Sequence, residues 1–576
     1  MSGFSLSEEQ RTAATSTMAH LLIIAPPGCG KTEVLAHRAA NQISFLEQNQ
    51  RVLALTFTKR ARSNLEERLR SVLGHARARR QIVVRNLHGF ATQVVLAHGR
   101  TIGLDMEDLE PPKIGTMRRA METAGGGPAM YDAEQILSEI KRGPLSDAEV
   151  LAAIQQRGSA QAVELAEKVE RSRQESNQLH YDDLLRHAQR LLRIPAVARL
   201  YQAHFGAVLV DEFQDLSMQQ LDLALLSCTS RRTFAGDPLQ GIYSWAGAAP
   251  DEVEAEIKKT CGEPIRLHES YRSSPKVLET VNSVSELVDP DSCLVSAQPE
   301  RWPDRGCSAA LVLPDRAAEA ELLRRLAGSI LDRMPEASIG IIARAGWRRE
   351  SIDAAFVEEK SFPVRRWDLA IDDPGIVALI HSTVATLPHG ASITDARLAV
   401  LDAVDPADVD ARELVDNTFD TLEQSDAVTA KAAVRSIRAS DHKQTIGPGV
   451  HLLNAHTGKG QQFDWVFVIG LEEGHLPGKR NSQGDALAEE QRVLLVMLSR
   501  ARHGLVVKRT EMADGMYGPY QAPQSRWWPG DPGPLLLGGG DRSTSASRSS
   551  GVATDSVIDD DVKHPDLFDG WLPRVG

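Results

Sequence analysis

Cysteine is scarce and patternless: Cys29, Cys228, Cys261, Cys293 and Cys307 are the five in 576 residues, and no two share the C-x-x-C spacing of a zinc or redox site. A disulfide scaffold is thereby excluded, and reduced thiols are the simple reading. No basic-then-apolar leader opens the chain, and no apolar run is long enough to span a bilayer. The expectation is a soluble, cytoplasmic protein without a membrane partner. No short fixed period repeats, which sets solenoids aside. Positive charge is not in excess either: 78 Asp and Glu against 65 Lys and Arg give a net charge of −13. That argues against a chain coated with nucleic acid, yet it permits a local basic groove on an acidic body.

What is present is too long for one core, so several domains are expected. "HLLIIAPPGCGKTEVLAHRAANQI", "RVLALTFTKRARSNLEERL" and "QIVVRNLHGFATQVV" each read as strand, turn, helix. Such alternation predicts a parallel sheet covered by helices on both faces. A polar helical stretch over 101–177 interrupts it, and the sheet returns with "FGAVLVDEFQD" and "RRTFAGDP". A second alternating region covers 273–372 and 446–520, interrupted by an acidic helical stretch over 373–445. From 521 to 576, Gly, Ser, Pro and acids dominate, and a disordered tail is expected. Its end, "DLFDGWLP", reads either as unbound chain or as a short motif that folds on a protein partner.

"APPGCGKT", Ala25, Pro26, Pro27, Gly28, Cys29, Gly30, Lys31 and Thr32, follows an apolar strand and opens a helix. Glycines let the backbone wrap a phosphate and aim several N–H groups at it from a helix N-terminus. Lys31 is placed to reach the β and γ phosphates of ATP, and Thr32 to put its hydroxyl on Mg²⁺. Ala25 stands where the strict pattern has glycine. The run "LVDEFQD" ends a buried strand in carboxylates. Alone these fit a solvated turn. With a phosphate loop on the same sheet, Asp211 becomes a Mg²⁺ ligand and Glu212 the residue that orients and deprotonates the attacking water.

These strings do not stand alone. "FSLSEEQRTA", "ALTFTKRA", "NLHGFA", "HYDDLL", "FAGDPLQGIYSWAGA", "LHESYRSS", "NAHTGKGQQFDWVFVIGLEEGHLP" and "LSRAR" follow in order between Phe4 and Lys508. Together they resemble the superfamily 1A DNA helicases of the UvrD/Rep/PcrA type. The resemblance implies an α/β fold of two RecA-like P-loop motor domains with parallel sheets, 1–100 with 178–272 and 273–372 with 446–520. Each carries a helical insertion, at 101–177 and, reduced, at 373–445.

By the same resemblance Gln10 reads the adenine edge, Arg38 lies beside the base and Tyr271 stacks on it. Gln240 senses the γ-phosphate, and Arg272 and Arg500 reach it from the second motor domain. Phe57, His88, Tyr243, Trp245 and His456 line a single-stranded DNA track, where aromatic faces grip any base. Lys59, Arg60 and Arg344 neutralise phosphates along it. The chain departs from the family at Ala246, Gln462 and Leu495, which stand in place of an arginine, a ribose-binding glutamate and a tyrosine.

The implied activity is an ATP-dependent 3′-to-5′ helicase or translocase on single-stranded and tailed duplex DNA, in repair or recombination. The compact insertions also look similar to small UvrD-like helicases of bacterial anti-phage systems, in which an associated nuclease is the partner.

Overall fold

The computed structural model describes residues 6–57, 59–107, 120–121, 123–125, 129–244, 247–302, 304–357, 359–367, 369–371, 374–404, 415, 418–419, 422, 429–434, 437–439, 446–479, 481–515 and 518–528. Six strands build the first sheet: β1 His20–Ile24, β2 Arg51–Thr56, β3 Ile82–Asn86, β4 Phe205–Asp211, β5 Arg232–Gly236 and β6 Ile265–Arg266. They lie in the order β3-β2-β4-β5-β1-β6, every pair parallel. The sequence explains the burial: β4 is an apolar run buried along its whole length, as a strand with helices on both faces requires. One core packs Leu22, Leu53, Val208 and Phe234 against Phe90 and Leu185, and the other packs Leu21, Ile23 and Ala207 against Leu35 and Leu65.

A two-residue parallel pair, β7 Glu269–Ser270 with β8 Val295–Ser296, follows. The second sheet contains β9 Cys307–Leu313, β10 Ser338–Ala343 and β11 Val364–Arg366. A small pair, β12 Leu369–Ile371 with β13 Ile437–Ala439, brackets the second helical stretch, and β14 Gly449–Asn454, β15 Phe463–Val468 and β16 Ala501–Thr510 complete the sheet. Its order is β11-β14-β10-β15-β16-β9, again with every pair parallel. The fold is therefore the expected α/β architecture with two RecA-like sheets.

Between β3 and β4, helices Met130–Lys141, Asp147–Ile154 and Ala160–Glu175 form a core of their own around Leu137, Val150 and Val169. A buried ion cluster fastens them to helix Tyr181–Leu192: Lys141 Nζ lies 2.7 Å from Glu170 and 3.0 Å from Asp183, all without exposure. The second helical stretch likewise has a separate core, around Ile380, Val384, Val400 and Phe419.

The tail corrects the reading of its composition. Residues 521–528, expected to be disordered, pack onto the second motor unit. Ala522 and Trp527 are buried, Ser525 Oγ donates to Leu476 O at 2.6 Å, and Arg526 pairs with Glu473 at 2.9 Å. One indole with an apolar bed outweighs the surrounding Pro and Gly. Residues 529–576, with "DLFDGWLP", lie outside the described residues. No described helix is long and apolar enough to cross a membrane.

Lys508 on β16 is fully buried, and its Nζ has no hydrogen-bond partner among the described residues. It rests 5.1 Å from the Phe467 ring centroid. Burial pushes its pKa from 10.5 down to about 7, with Glu319 opposing the shift. The folded state thus binds fewer protons than the unfolded chain between those values, so this lysine destabilises most at pH 7 and below and costs nothing above 10.5. Lys508→Met is expected to raise the thermal midpoint by about 5 °C at pH 6.5, from roughly 1–2 kcal/mol of relieved burial. The gain should shrink as pH rises toward 10, and scanning calorimetry of both proteins across that range checks it.

Candidate functional site

β1 and β4 flank β5, so the turns leaving their C-terminal ends meet. The loop Ala25–Thr32 leaves β1 with Ala25 N donating to Gly236 O at 2.8 Å, which ties it to the end of β5. Gly28 and Gly30 have φ of +89° and +76°, conformations that side chains resist, and helix Lys31–Ile43 starts directly after Gly30. Gly28 is also a close-approach position: a Cβ there would lie 2.4 Å from Ser270 Oγ and 2.7 Å from Arg272 Cβ. Residues 270–272 roof the loop, with Tyr271 N donating to Gly28 O at 2.9 Å. Cys29 is buried and burial raises its thiol pKa, as befits a small filler. The buried Gln10 side chain donates to Cys29 O at 2.9 Å, so it lies beneath the loop.

The carboxylates stand opposite. Lys31 Nζ lies 3.3 Å from Asp211 Oδ1 and pairs directly with Glu212 Oε2. Glu212 has φ +58° and ψ +50°, a left-handed conformation that costs a non-glycine residue about 1–3 kcal/mol and commonly marks a functional position. Burial raises the Asp211 carboxyl to about 6 against the pull of Lys31. For Glu212 burial also works upward, but Lys31 and then Lys459 outweigh it and hold the group at about 2.

Asp211 is buried, and apart from the Lys31 ammonium its Oδ1 has no hydrogen-bond partner among the described residues. Among the described residues no group of three or more His, Cys, Asp or Glu can hold a metal by itself. A divalent cation here would draw on phosphate oxygens besides Asp211 and Thr32, which is how Mg²⁺ is commonly held.

Gln214 and Asp215, the last polar residues of "LVDEFQD", make different contacts. Gln214 is fully buried and stays within the first motor unit: Nε2 donates to Glu212 Oε2 at 2.6 Å and Oε1 accepts from Asp237 N at 3.0 Å. Asp215 is the residue that crosses to the second unit, where Lys459 Nζ meets its Oδ1 at 2.5 Å. The same ammonium donates to Gln240 O at 2.8 Å and lies 4.5 Å from the Tyr243 ring centroid. Lys459 sits in "HTGKGQQF", yet sequence reasoning missed it. A lone lysine carries no local sign that its carboxylate partner stands 244 positions away.

Further hydrogen bonds line this cleft. Arg500 Nη2 donates to Gln240 Oε1 at 3.2 Å, and Gln240 Nε2 donates to Asp237 Oδ2 at 2.9 Å. Arg272 Nη1 donates to Ser499 O at 2.9 Å. Burial lowers both guanidinium pKa values, Arg272 to about 9 with Arg500 adding to the shift and Arg500 to about 10, so both remain charged at neutral pH.

Arg38 departs from the expected place beside the base. It is fully buried, and its guanidinium is spent on Ser16 O, on Met18 O at 2.6 Å and on Thr233 Oγ1 at 3.2 Å. It pins the end of helix Glu8–Thr15 to the sheet.

Of the expected DNA track, Phe57 and Tyr243 stack with centroids 5.6 Å apart, and His456 stands 6.2 Å beyond Tyr243. His456 Nε2 bonds Ile242 O at 3.2 Å. His88 is half-buried, and burial lowers its pKa to about 4, so it is neutral near pH 7. Arg344 is committed to Glu490 at 2.8 Å rather than free for a phosphate. Trp245 and Ala246 lie outside the described residues, as do the side chains of Lys59 and Arg60. Gln462 accepts from Arg502 Nη2 at 3.1 Å, and Leu495 is buried in the core of the second unit.

Residues 6–260 match the family model for the UvrD/REP helicase N-terminal domain, and residues 411–511 match that for the UvrD-like helicase C-terminal domain. The chain is 26% identical over 552 residues to the ATP-dependent DNA helicase UvrD2 of Mycobacterium tuberculosis, covering 86% of this chain and 77% of that protein. It is 23% identical over 615 residues to DNA helicase II of Salmonella typhimurium, covering 88% and 84%. With the ATP-dependent DNA helicase PcrA of Leuconostoc citreum it shares 29% over 290 residues, 48% of this chain and 39% of that one.

Proposed function

The chain belongs to the UvrD/REP helicase family, an ATP-dependent DNA helicase by that membership, and we propose that it moves 3′ to 5′ on single-stranded DNA. The direction rests on the family resemblance, and the observation that supports a motor is Lys459. One ammonium from the second motor unit touches Asp215 beside Glu212, the Gln240 carbonyl beside Arg500, and the Tyr243 ring in the aromatic track. Nucleotide chemistry and DNA grip therefore share one residue across the cleft, and a change in the gap between the motor units alters both.

At the ATP site Lys31 and the loop amides hold the phosphates, and Gln10 and Tyr271 flank the base. Thr32 and Asp211 would hold Mg²⁺, which would supply charge neutralisation to the phosphates. Glu212 takes the proton of the attacking water. While Lys31 and Lys459 hold it at about 2 it is a weak base. A γ-phosphate that draws Lys31 away removes the largest of those pulls, raises the carboxyl and strengthens it as a base. Arg500 and Arg272 then meet the charge that spreads over the γ oxygens. Single strands with free 3′ tails, as repair and recombination generate, are the tracks that this polarity suits.

The test is unwinding of 3′-tailed, 5′-tailed and blunt duplexes by the purified chain, with ATP turnover read beside it. Single-stranded DNA should raise turnover, and the 3′-tailed substrate alone should be opened. Opening of the 5′-tailed duplex alone overturns the polarity, and turnover indifferent to DNA overturns the motor. Unwinding that appears only with the product of a neighbouring nuclease gene would move the chain to the partner-dependent class.

A further inference from the structure

The chain carries an excess of acids, yet from Arg68 to Leu104 it has no Asp or Glu at all, while Arg68, Arg70, Arg77, Arg79, Arg80 and Arg85 crowd its first half. The fold gathers that charge in one place. Helix Lys59–Leu73 runs back along the sheet, helix His75–Gln81 follows, and edge strand β3 comes next. Between them is a recess of about 270 Å³ lined by Arg51, Arg70, His75, Arg79 and Arg85, with Glu66 as its only acid.

Glu66 is already engaged, at 2.9 Å by Arg62 and 3.0 Å by Arg70. Among the described residues no carboxylate pairs with Arg51, Arg79 or Arg80. Arg79 and Arg80 are exposed on the short helix. Like charges set side by side repel, and among the described residues Glu66 and Glu33 offset only part of this cluster, so an external polyanion is the partner its chemistry fits.

The place favours DNA over an acidic protein. Helix Lys59–Leu73 begins just past Phe57 of the track, and its 15 residues carry the chain about 22 Å away from it. Arg68 pairs with Glu33 at 2.7 Å, on the helix that the phosphate loop opens, which fixes the basic face to the ATP site as one block. Nucleic acid that leaves the track and turns along the β3 edge would meet this face.

We propose that the arginine-lined recess at the β3 edge is a second DNA-backbone site, which grips phosphates of a strand or duplex arm outside the motor track. The proposal rests on the reading of the chain as a DNA motor.

The experiment compares the wild-type chain with Arg79→Glu/Arg80→Glu and with Arg79→Lys/Arg80→Lys. Fluorescence anisotropy in a salt series reads affinity for a strand of about 10 nucleotides, one of about 40, and a 3′-tailed duplex. Reversal of charge should weaken the tailed duplex or the long strand about tenfold and flatten the log K against log salt slope by about 2, since each lost phosphate contact removes about 0.9. Affinity for the short strand, and the ATP turnover it stimulates, should stay within about twofold of wild type, and the lysine pair should behave as wild type. Loss on the duplex alone identifies a duplex arm, and loss on the long strand as well identifies single strand.

Equal affinities for all three DNAs, or equal losses on all three, overturn the proposal. So does poly-glutamate that binds the wild type and not the reversed variant while DNA affinities stay equal, which would assign the recess to an acidic protein. Wild-type turnover that ignores the short strand defeats the motor reading instead, a result separate from these.

Discussion

Lys31→Ala is expected to lower ATP turnover by about 10³-fold or more, to the limit of detection, because two effects of the lysine vanish together. The first is its charge at the phosphates, which no other cation of the loop replaces: the remaining loop side chains are Ala, Pro, Cys and Thr. The second is its hold on the two acids. Lys31 opposes the burial that raises Asp211 and is the largest pull keeping Glu212 low. Without it, the buried Asp211 and half-buried Glu212 carboxylates repel, both pKa values rise, and the pair takes up a proton near neutral pH. The variant should therefore lose stability as pH rises from 5 to 8 relative to wild type, since folding then requires proton uptake that the unfolded chain does not. Steady-state turnover, binding of a fluorescent ATP analogue and thermal midpoints at several pH values give the comparison. Turnover within tenfold of wild type overturns the assignment of Ala25–Thr32 as the phosphate loop.

What was legible in the sequence follows physical locality. "APPGCGKT" carries its own conformational demands, glycines at positive φ between a buried strand and a helix start, and the structure places them so. "LVDEFQD" carries a buried strand and an abrupt polar end, and Asp211 and Glu212 meet Lys31 there. The two parallel sheets were legible because strands covered on both faces read as continuous apolar runs.

The rest depends on distances along the chain that no local pattern encodes. Lys459 finds Asp215 only after two sheets have formed and met. Gln214, next to Asp215, turns back to Asp237 because a bare glycine at 236 leaves room for it: a Cβ there would lie 2.2 Å from its Oε1. Arg38 is the converse lesson: the family resemblance implied a place beside the base, while its donors serve two backbone carbonyls and the Thr233 hydroxyl.

Arg500→Ala is expected to cut turnover by roughly 10³–10⁵-fold, the range associated with an arginine that meets transition-state charge, while ATP affinity falls by less than about tenfold. The asymmetry follows from position. Ground-state phosphate binding belongs to the loop of the first unit, where Lys31 sits; Arg500 comes from the second unit and reaches that side through Gln240. Its guanidinium is only 2% exposed and is aimed by Val496 O at 2.7 Å and Ser499 Oγ at 2.7 Å. Those contacts fix the fork before any nucleotide arrives, so little reorganisation remains for the step itself. Arg500→Lys should not rescue turnover, since one ammonium cannot span Val496, Ser499 and Gln240 as the planar fork does. Single-turnover hydrolysis and analogue binding, measured for both variants, separate the two quantities. A variant whose affinity collapses while its single-turnover rate survives would make Arg500 a ground-state binder and would remove the link between hydrolysis and closure of the two motor units. A variant slow in chemistry but intact in binding ties the two together, because Arg500 meets the first unit at Gln240, across the cleft that Lys459 and Asp215 also bridge.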